Sequence, residues 1–101
     1  MFASAIAQPT HETVELLYYR PLGPFHDYET RLAGIVHHYA DRVRVTQLRV
    51  ADLARLGRTG VFVSSTRPTM ALVKAGTVVA QAIGDLSSRE IDLLVRGAVA
   101  G

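Results

Sequence analysis

The order in which strand and helix patterns follow one another constrains the fold of this chain most. Val14 to Arg20 is a run of strand-forming residues, and its nearly continuous apolar character predicts a central strand covered on both faces. Residues 25–39 carry apolar side chains at three- and four-residue steps, which predicts one amphipathic helix from near Pro24 to near Ala40. Val43 to Val50 alternates apolar and polar residues, as a half-buried strand does. A strand, a helix and a strand in this order predict a parallel pair with a right-handed crossover.

The second half of the chain predicts a hairpin. Ala51 to Leu56 favours a short helix that ends at Gly57. Two strand patterns, Thr69 to Val73 and Thr77 to Ile83, are joined by Lys74-Ala75-Gly76, a polar link whose glycine is able to take a positive φ. The hairpin therefore extends the parallel pair into a four-stranded mixed sheet.

The last helix has the clearest start signals. Ser87 and Glu90 have the spacing of a capping box, and Leu86 and Ile91 stand at the positions of a hydrophobic staple. A helix that begins after Ser87 completes the order β-α-β-α-β-β-α. The sequence thus predicts one α/β domain over residues 14–101, with helices on both faces of the sheet, preceded by an N-terminal arm at residues 1–13.

Composition limits the classes of function that are open to the chain. Its 101 residues are 49% hydrophobic and carry a net charge of +2, as expected of a single domain with one core. No apolar stretch reaches the roughly 18 residues of a membrane span. The arginines are dispersed, and the first residues lack the basic start of a secretion signal. We therefore expect a cytoplasmic protein with neither a nucleic-acid nor a membrane partner.

Cysteine is absent, which excludes disulfides, thiolate nucleophiles and cysteine-based metal sites within this chain. Histidine offers no substitute, because His37 and His38 are adjacent and point in different directions on a helix, while His11 lies in the arm and His26 has no second imidazole on its face. We expect surface histidines, with no metal and no other cofactor. Ser64-Ser65-Thr66 is not surrounded by a nucleophile elbow and predicts turn hydroxyls.

Three motifs resemble the thioredoxin family. Pro21-Leu22-Gly23-Pro24-Phe25 is similar to the family's Trp-Cys-Gly-Pro-Cys with the tryptophan and both cysteines replaced. Arg67-Pro68-Thr69 is similar to the family's Ile-Pro-Thr, and the stretch from Pro68 to the capped helix follows the family pattern without a gap. Together the motifs cover residues 14–99. The resemblance implies a thioredoxin-like fold truncated at its N-terminus, with a cis proline at Pro68 that faces the start of the first helix.

The departures from the family pattern bear on function. Leu16 stands where the family has a buried, proton-handling aspartate, and neither Leu22 nor Phe25 supplies the low-pKa sulfur that disulfide exchange needs. The resemblance therefore implies a redox-inactive member that is not an enzyme but an adaptor or chaperone-like module gripping a protein segment in extended conformation. We expect Leu22 to be an exposed contact, Phe25 to be buried, and Arg67 to pair its backbone with the segment. The implied binding surface consists of Leu22, Gly23, Pro24, Phe25, Arg67, Pro68 and Thr69.

Three alternatives stay open. The segment Gly84 to Glu90 is similar to the one that precedes the last helix of KaiB-type clock proteins, which implies a regulatory interaction domain, although that family lacks the glycine hairpin. Arg20, His26 and Arg67 together would suit a small anion or a glutathione-type ligand. The predicted strand Thr77 to Ile83 lies at a sheet edge, which favours a homodimer formed by edge pairing.

Overall fold

The computed structural model describes residues 13–100, so that all but the last residue of the predicted N-terminal arm lies outside the described residues. The elements follow the predicted order. They are β1 (Val14–Tyr19), α1 (His26–His37), a 3-10 turn (Ala40–Arg42), β2 (Val43–Gln47), α2 (Val50–Gly57), β3 (Thr69–Lys74), β4 (Thr77–Ile83) and α3 (Ser88–Ala100).

The sheet has the strand order β2-β1-β3-β4. β1 pairs parallel with β2 and antiparallel with β3, and β3 forms the antiparallel hairpin with β4. The predicted mixed sheet with β1 at an inner position is confirmed. The two faces of β1 are covered unequally, however, because Val14, Leu16 and Tyr18 are buried while the alternate residues are only half-buried. The predicted cover of β1 on both faces is therefore complete on one face and partial on the other.

The main core lies on the face of the sheet that carries Leu16. Helix α1 contributes Tyr28 and Leu32, and α3 contributes Ile91 and Val95, all of them buried in one cluster with Leu16. These are the apolar positions that the helical spacing predicts. The predicted capping box of α3 is also present, since the Ser87 N–H donates to Glu90 Oε1 at 2.9 Å and the Glu90 N–H donates to Ser87 Oγ at 3.2 Å.

The second face of the sheet is covered by α2, which buries Leu53. Between α2 and the sheet, Leu17 and Leu56 border a cavity of about 360 Å³. β2 lies at the edge of the sheet and buries only Val43, so its predicted alternation of buried and exposed residues is wrong. Strand side chains project to the two faces of the sheet, and no helix encloses those of β2 beyond Val43.

Helix α1 begins two residues later than Pro24. Gly23 has φ +135° and its carbonyl accepts the Phe25 N–H at 2.8 Å, so a tight turn holds Pro24 outside the helix and makes Phe25 the N-cap. The helix ends at His37, before Ala40 takes a φ of 48°, which is outside the right-handed helical region. The predicted end near Ala40 is therefore three residues too late.

The hairpin turn between β3 and β4 contains a strained alanine. Ala75 and Gly76 both have positive φ, 52° and 79°, as a two-residue type I′ turn requires. Glycine adopts this conformation freely, whereas alanine at positive φ costs on the order of 1 kcal/mol. We expect Ala75→Asn to raise the free energy of unfolding by about 0.5–1 kcal/mol in urea titrations. Gly76→Ala is the opposite control and should lower it; equal stability of the three proteins would contradict the turn assignment.

Candidate functional site

The two motif segments leave the sheet at the same end. Tyr19 at the end of β1 is in register with Thr69 at the start of β3, and the Pro68 carbonyl accepts the N–H of Gly84, just after β4, at 2.9 Å. We call this region, residues 20–25, 61–68 and 84–87, the loop end of the sheet. The topology thus brings Pro21–Phe25 and the residues around Pro68 to one end of the domain, as the sequence motifs predict.

Hydroxyl groups fix the loop that leads into β3. Thr69 is completely buried, and its Oγ1 accepts the N–H of Ser64 and donates to the Ser64 carbonyl, both at 3.1 Å. Ser64 Oγ in turn accepts the N–H groups of Thr66 and Arg67 at 3.2 and 3.1 Å. These hydroxyls therefore stabilise the turn by hydrogen bonds to its backbone, as predicted. Thr69, included in the predicted binding surface, is enclosed and holds the loop instead.

The peptide bond before Pro68 is trans, as are all peptide bonds between residues 13 and 100. The cis proline implied by the resemblance is therefore not present; trans is the lower-energy isomer of such a bond. The Arg67 N–H is engaged with Ser64 Oγ, so in this conformation it does not offer the hydrogen bond expected to pair with a peptide. The Pro68 side chain is buried, whereas Arg67 is exposed and forms no ion pair among the described residues.

Apolar side chains are exposed at the loop end. Leu22 is 94% exposed, and Phe25 is half-buried and packs against the core, in agreement with the contrast predicted for the two residues. Phe62 is 75% exposed and its N–H donates to Gln81 Oε1 on β4 at 2.9 Å. Phe62 is not among the predicted site residues, because it lies in the apolar triplet Val61-Phe62-Val63, which belongs to none of the three motifs. Val61 is buried, and no pattern in the sequence distinguishes the exposed Phe62 from it.

The three cations proposed to hold an anion do not form one free cluster. Arg20 is bound to Glu29, with Nε 2.9 Å from Oε1, and also donates to the Pro21 carbonyl at 3.2 Å. His26 lies 3.9 Å from a carboxylate oxygen of Asp27. Two of the three predicted groups thus have acidic neighbours, which weakens the case for an anion site here.

A hydrogen-bonded triad links the end of β1 to α1. Glu29 accepts the Tyr18 hydroxyl at 2.7 Å in addition to the Arg20 guanidinium. The Tyr18 hydrogen bond and Arg20 both lower the pKa of Glu29, and burial together with this carboxylate raises the pKa of Tyr18 to about 12. The triad keeps Glu29 ionised and Tyr18 protonated, which suits a structural link better than proton transfer.

The triad predicts a pH-dependent stability difference. Tyr18→Phe should lower the free energy of unfolding by about 1 kcal/mol near neutral pH, because it removes a hydrogen bond to a charged group. The pKa of Glu29 is lower in the folded state, so this contribution is present above the unfolded pKa and is lost as pH falls through the folded one. Urea unfolding at neutral and acid pH measures it. Glu29→Gln is the control, and a cost independent of pH would contradict the assignment.

The described residues were also compared with the requirements of a metal site and of a membrane-spanning helix, and they meet neither. Among residues 13–100, no three His, Asp or Glu side chains come together as metal ligands. In the same part of the chain, no helix is long and apolar enough to cross a membrane.

Comparison with known proteins identifies the fold. No family model matches the chain, and no curated protein matches it. Thioredoxin-2 of the malaria parasite matches with a TM-score of 0.67 and 21% identity, over 85% of this chain and 84% of that one. The germline-specific thioredoxin Deadhead of Drosophila melanogaster matches with a TM-score of 0.68 and 15% identity, over 84% and 80% of the two chains. Chloroplastic thioredoxin z matches with a TM-score of 0.65 and 21% identity, over 91% and 83%.

The chain therefore has a thioredoxin-like fold. More narrowly, it is a cysteine-less version of that fold, since none of its 101 residues is a cysteine. Disulfide exchange requires a thiolate, and this chain has none to offer.

Proposed function

We propose that this chain is a redox-inactive protein-binding module, an adaptor or chaperone-like domain, which binds a peptide segment at the loop end of the sheet. The observation that carries the proposal is Leu22, a large apolar side chain that is 94% exposed at the first cysteine position of the motif. Burying a leucine against a partner is worth about 1.5–3 kcal/mol. Exposed apolar groups gathered at one end of a domain are typical of interaction surfaces.

The charge at the loop end indicates the chemistry of the segment. Arg67 is exposed next to the fixed turn at Ser64 and has no carboxylate partner among the described residues. A guanidinium in this setting favours an acidic side chain, with which it forms charge-assisted hydrogen bonds. Because the Arg67 N–H is already used, we propose recognition through side chains, with an apolar residue on Leu22 and an acidic residue on Arg67.

The remaining observations favour binding over catalysis. The acidic groups with lowered pKa are held in a triad and in helix caps, namely Glu29, Asp52 and Glu90, and none lies free at the loop end. Two of the similar structures are described in terms of an assembly or of target recognition. Thioredoxin-2 is a component of a protein secretion machinery, and thioredoxin z shows a type-specific target recognition.

A peptide-display selection against the purified chain tests the proposal. Selected peptides should combine an apolar and an acidic residue, and Leu22→Ser or Arg67→Glu should weaken their binding at least about tenfold, or 1.4 kcal/mol, in calorimetry. The matched control is Val45→Ser, since Val45 is an apolar residue that is 40% exposed on β2. Lysine in place of the peptide's acidic residue should restore binding to Arg67→Glu. Equal binding to the parent chain and to Leu22→Ser would refute the proposal.

A further inference from the structure

The parallel strands β1 and β2 are followed by helices on opposite faces of the sheet. Helix α1, which follows β1, packs on the face that carries Leu16, whereas α2, which follows β2, packs on the second face. In open α/β sheets, ligands bind in the crevice at the carboxyl ends of two such strands. The topology therefore marks the carboxyl ends of β1 and β2 as a place where a small ligand would bind.

The cavity of about 360 Å³ between α2 and the sheet lies at this place. Its lining includes Gln47, the last residue of β2, and Leu48, which follows that strand. Leu17 of β1 and Leu56 of α2 also line it, so that three half-buried leucines form its apolar part. Ligand cavities span roughly 300–1,000 Å³, and one near the lower limit suits a small molecule.

An acidic and a basic side chain of α2 lie side by side in the lining of this cavity. Asp52 Oδ1 is 3.9 Å from the nearest Arg55 nitrogen, which is longer than a hydrogen bond, so neither group satisfies the other. The Asp52 side chain is only 19% exposed, and its Oδ2 accepts the Arg49 N–H at 2.9 Å. This hydrogen bond holds the carboxylate in place and lowers its pKa. The cavity thus contains a fixed carboxylate and a guanidinium, each with unused hydrogen-bonding capacity.

We infer that this cavity binds a free apolar α-amino acid, with the ammonium of the ligand on Asp52 and its carboxylate on Arg55. The side chain of the ligand then contacts the three leucines and removes their apolar surface from water. An α-amino acid carries both charged groups on one carbon atom, so it presents them side by side, as Asp52 and Arg55 are. Both ends form charge-assisted hydrogen bonds. A ligand with a single charge would leave either the carboxylate or the guanidinium without a partner.

Calorimetric titration of the purified chain with L-leucine tests the inference. The parent chain should bind L-leucine saturably at millimolar concentration. N-acetyl-L-leucine lacks the ammonium and L-leucinamide lacks the carboxylate, so each should bind at least about tenfold more weakly. Glycine has both charged groups but no side chain to contact the leucines, and it should also bind at least about tenfold more weakly.

Substitutions on α2 assign the two charged contacts. Arg55→Gln should weaken the binding of L-leucine at least about tenfold but leave that of L-leucinamide unchanged, because the amide has no carboxylate to lose. Asp52→Asn should weaken L-leucine similarly, while its amide oxygen still accepts the Arg49 N–H. The matched control is Arg58→Gln, since Arg58 is exposed directly after α2 and does not line the cavity; it should bind L-leucine as the parent does.

Two outcomes overturn the inference. One is a parent chain that shows no saturable binding of L-leucine. The other is equal affinity for L-leucine, N-acetyl-L-leucine and L-leucinamide, since the charged groups would then take no part in binding. Leu22→Ser should bind L-leucine as the parent does, so the outcome is independent of the proposed peptide-binding function.

Discussion

Replacing Leu16 by aspartate, the residue that the thioredoxin pattern has at this position, should destabilise the chain by about 4 kcal/mol near neutral pH. Leu16 is completely buried, lies opposite Leu72 in the sheet and belongs to an apolar cluster. The substitution removes apolar packing and places a carboxylate where no cation is available. A domain of this size has a total stability of about 5–15 kcal/mol, so much of it would be lost.

The pH dependence of this variant separates charge burial from lost packing. Burial raises the pKa of the introduced carboxyl in the folded state above its unfolded value. Relative to the parent, the variant is therefore least destabilised below the unfolded pKa, and the cost grows as pH rises towards the raised folded pKa. Urea unfolding across this range measures the effect, and Leu16→Asn should show a cost that does not vary with pH. A small, pH-independent cost for Leu16→Asp would show that this part of the core is hydrated.

The double substitution of Leu22 and Phe25 by cysteine should give the chain a disulfide-reducing activity, for which the parent has no thiol. The resulting Cys-Gly-Pro-Cys sequence lies at the start of α1, where the helix N-terminus lowers the pKa of a thiol. In an insulin assay, the variant's dithiol would reduce the substrate disulfide and become a disulfide itself, which dithiothreitol reduces again. We expect turnover from the variant and none from the parent. Loss of the half-buried Phe25 should cost about 1–2 kcal/mol of stability.

Serine at the same two positions is the matched control, because it reproduces the loss of both apolar side chains without supplying sulfur. It should be as unstable as the cysteine variant and inactive. A folded cysteine variant that forms no intramolecular disulfide under oxidising conditions would show that the turn at Gly23 has departed from the geometry that a dithiol needs.

Local sequence signals predicted most of the fold. The periodic apolar residues of α1, with Tyr28 and Leu32, lie in the core because the helical repeat alone determines which side they share. The start of α3 could be predicted because Ser87 and Glu90 interact over three residues. The inner position of β1 followed from its nearly continuous apolar run. The resemblance to thioredoxins then added that the two motif segments meet at one end of the sheet, which the topology confirms.

Features that depend on distant partners could not be predicted from the sequence. The pairing of Arg20 with Glu29 requires the angle between β1 and α1, and no spacing rule supplies it. The burial of Thr69 depends on how Ser64 folds back over it. The solvent exposure of the β2 side chains depends on where the three helices pack. In each case the sequence indicates which groups are available and the tertiary structure determines which of them remain free.

The most direct test of the account is to map a bound peptide onto the chain by amide chemical shifts of ¹⁵N-labelled protein. A selected peptide with an apolar and an acidic residue should shift the amides of residues 22–25 and 64–68 in the parent chain. Those shifts should disappear in Leu22→Ser, and the amides of β2 should not move. Shifts that map instead to α2 or to β2, or that persist unchanged in Leu22→Ser, would contradict binding at the cysteine-less motif.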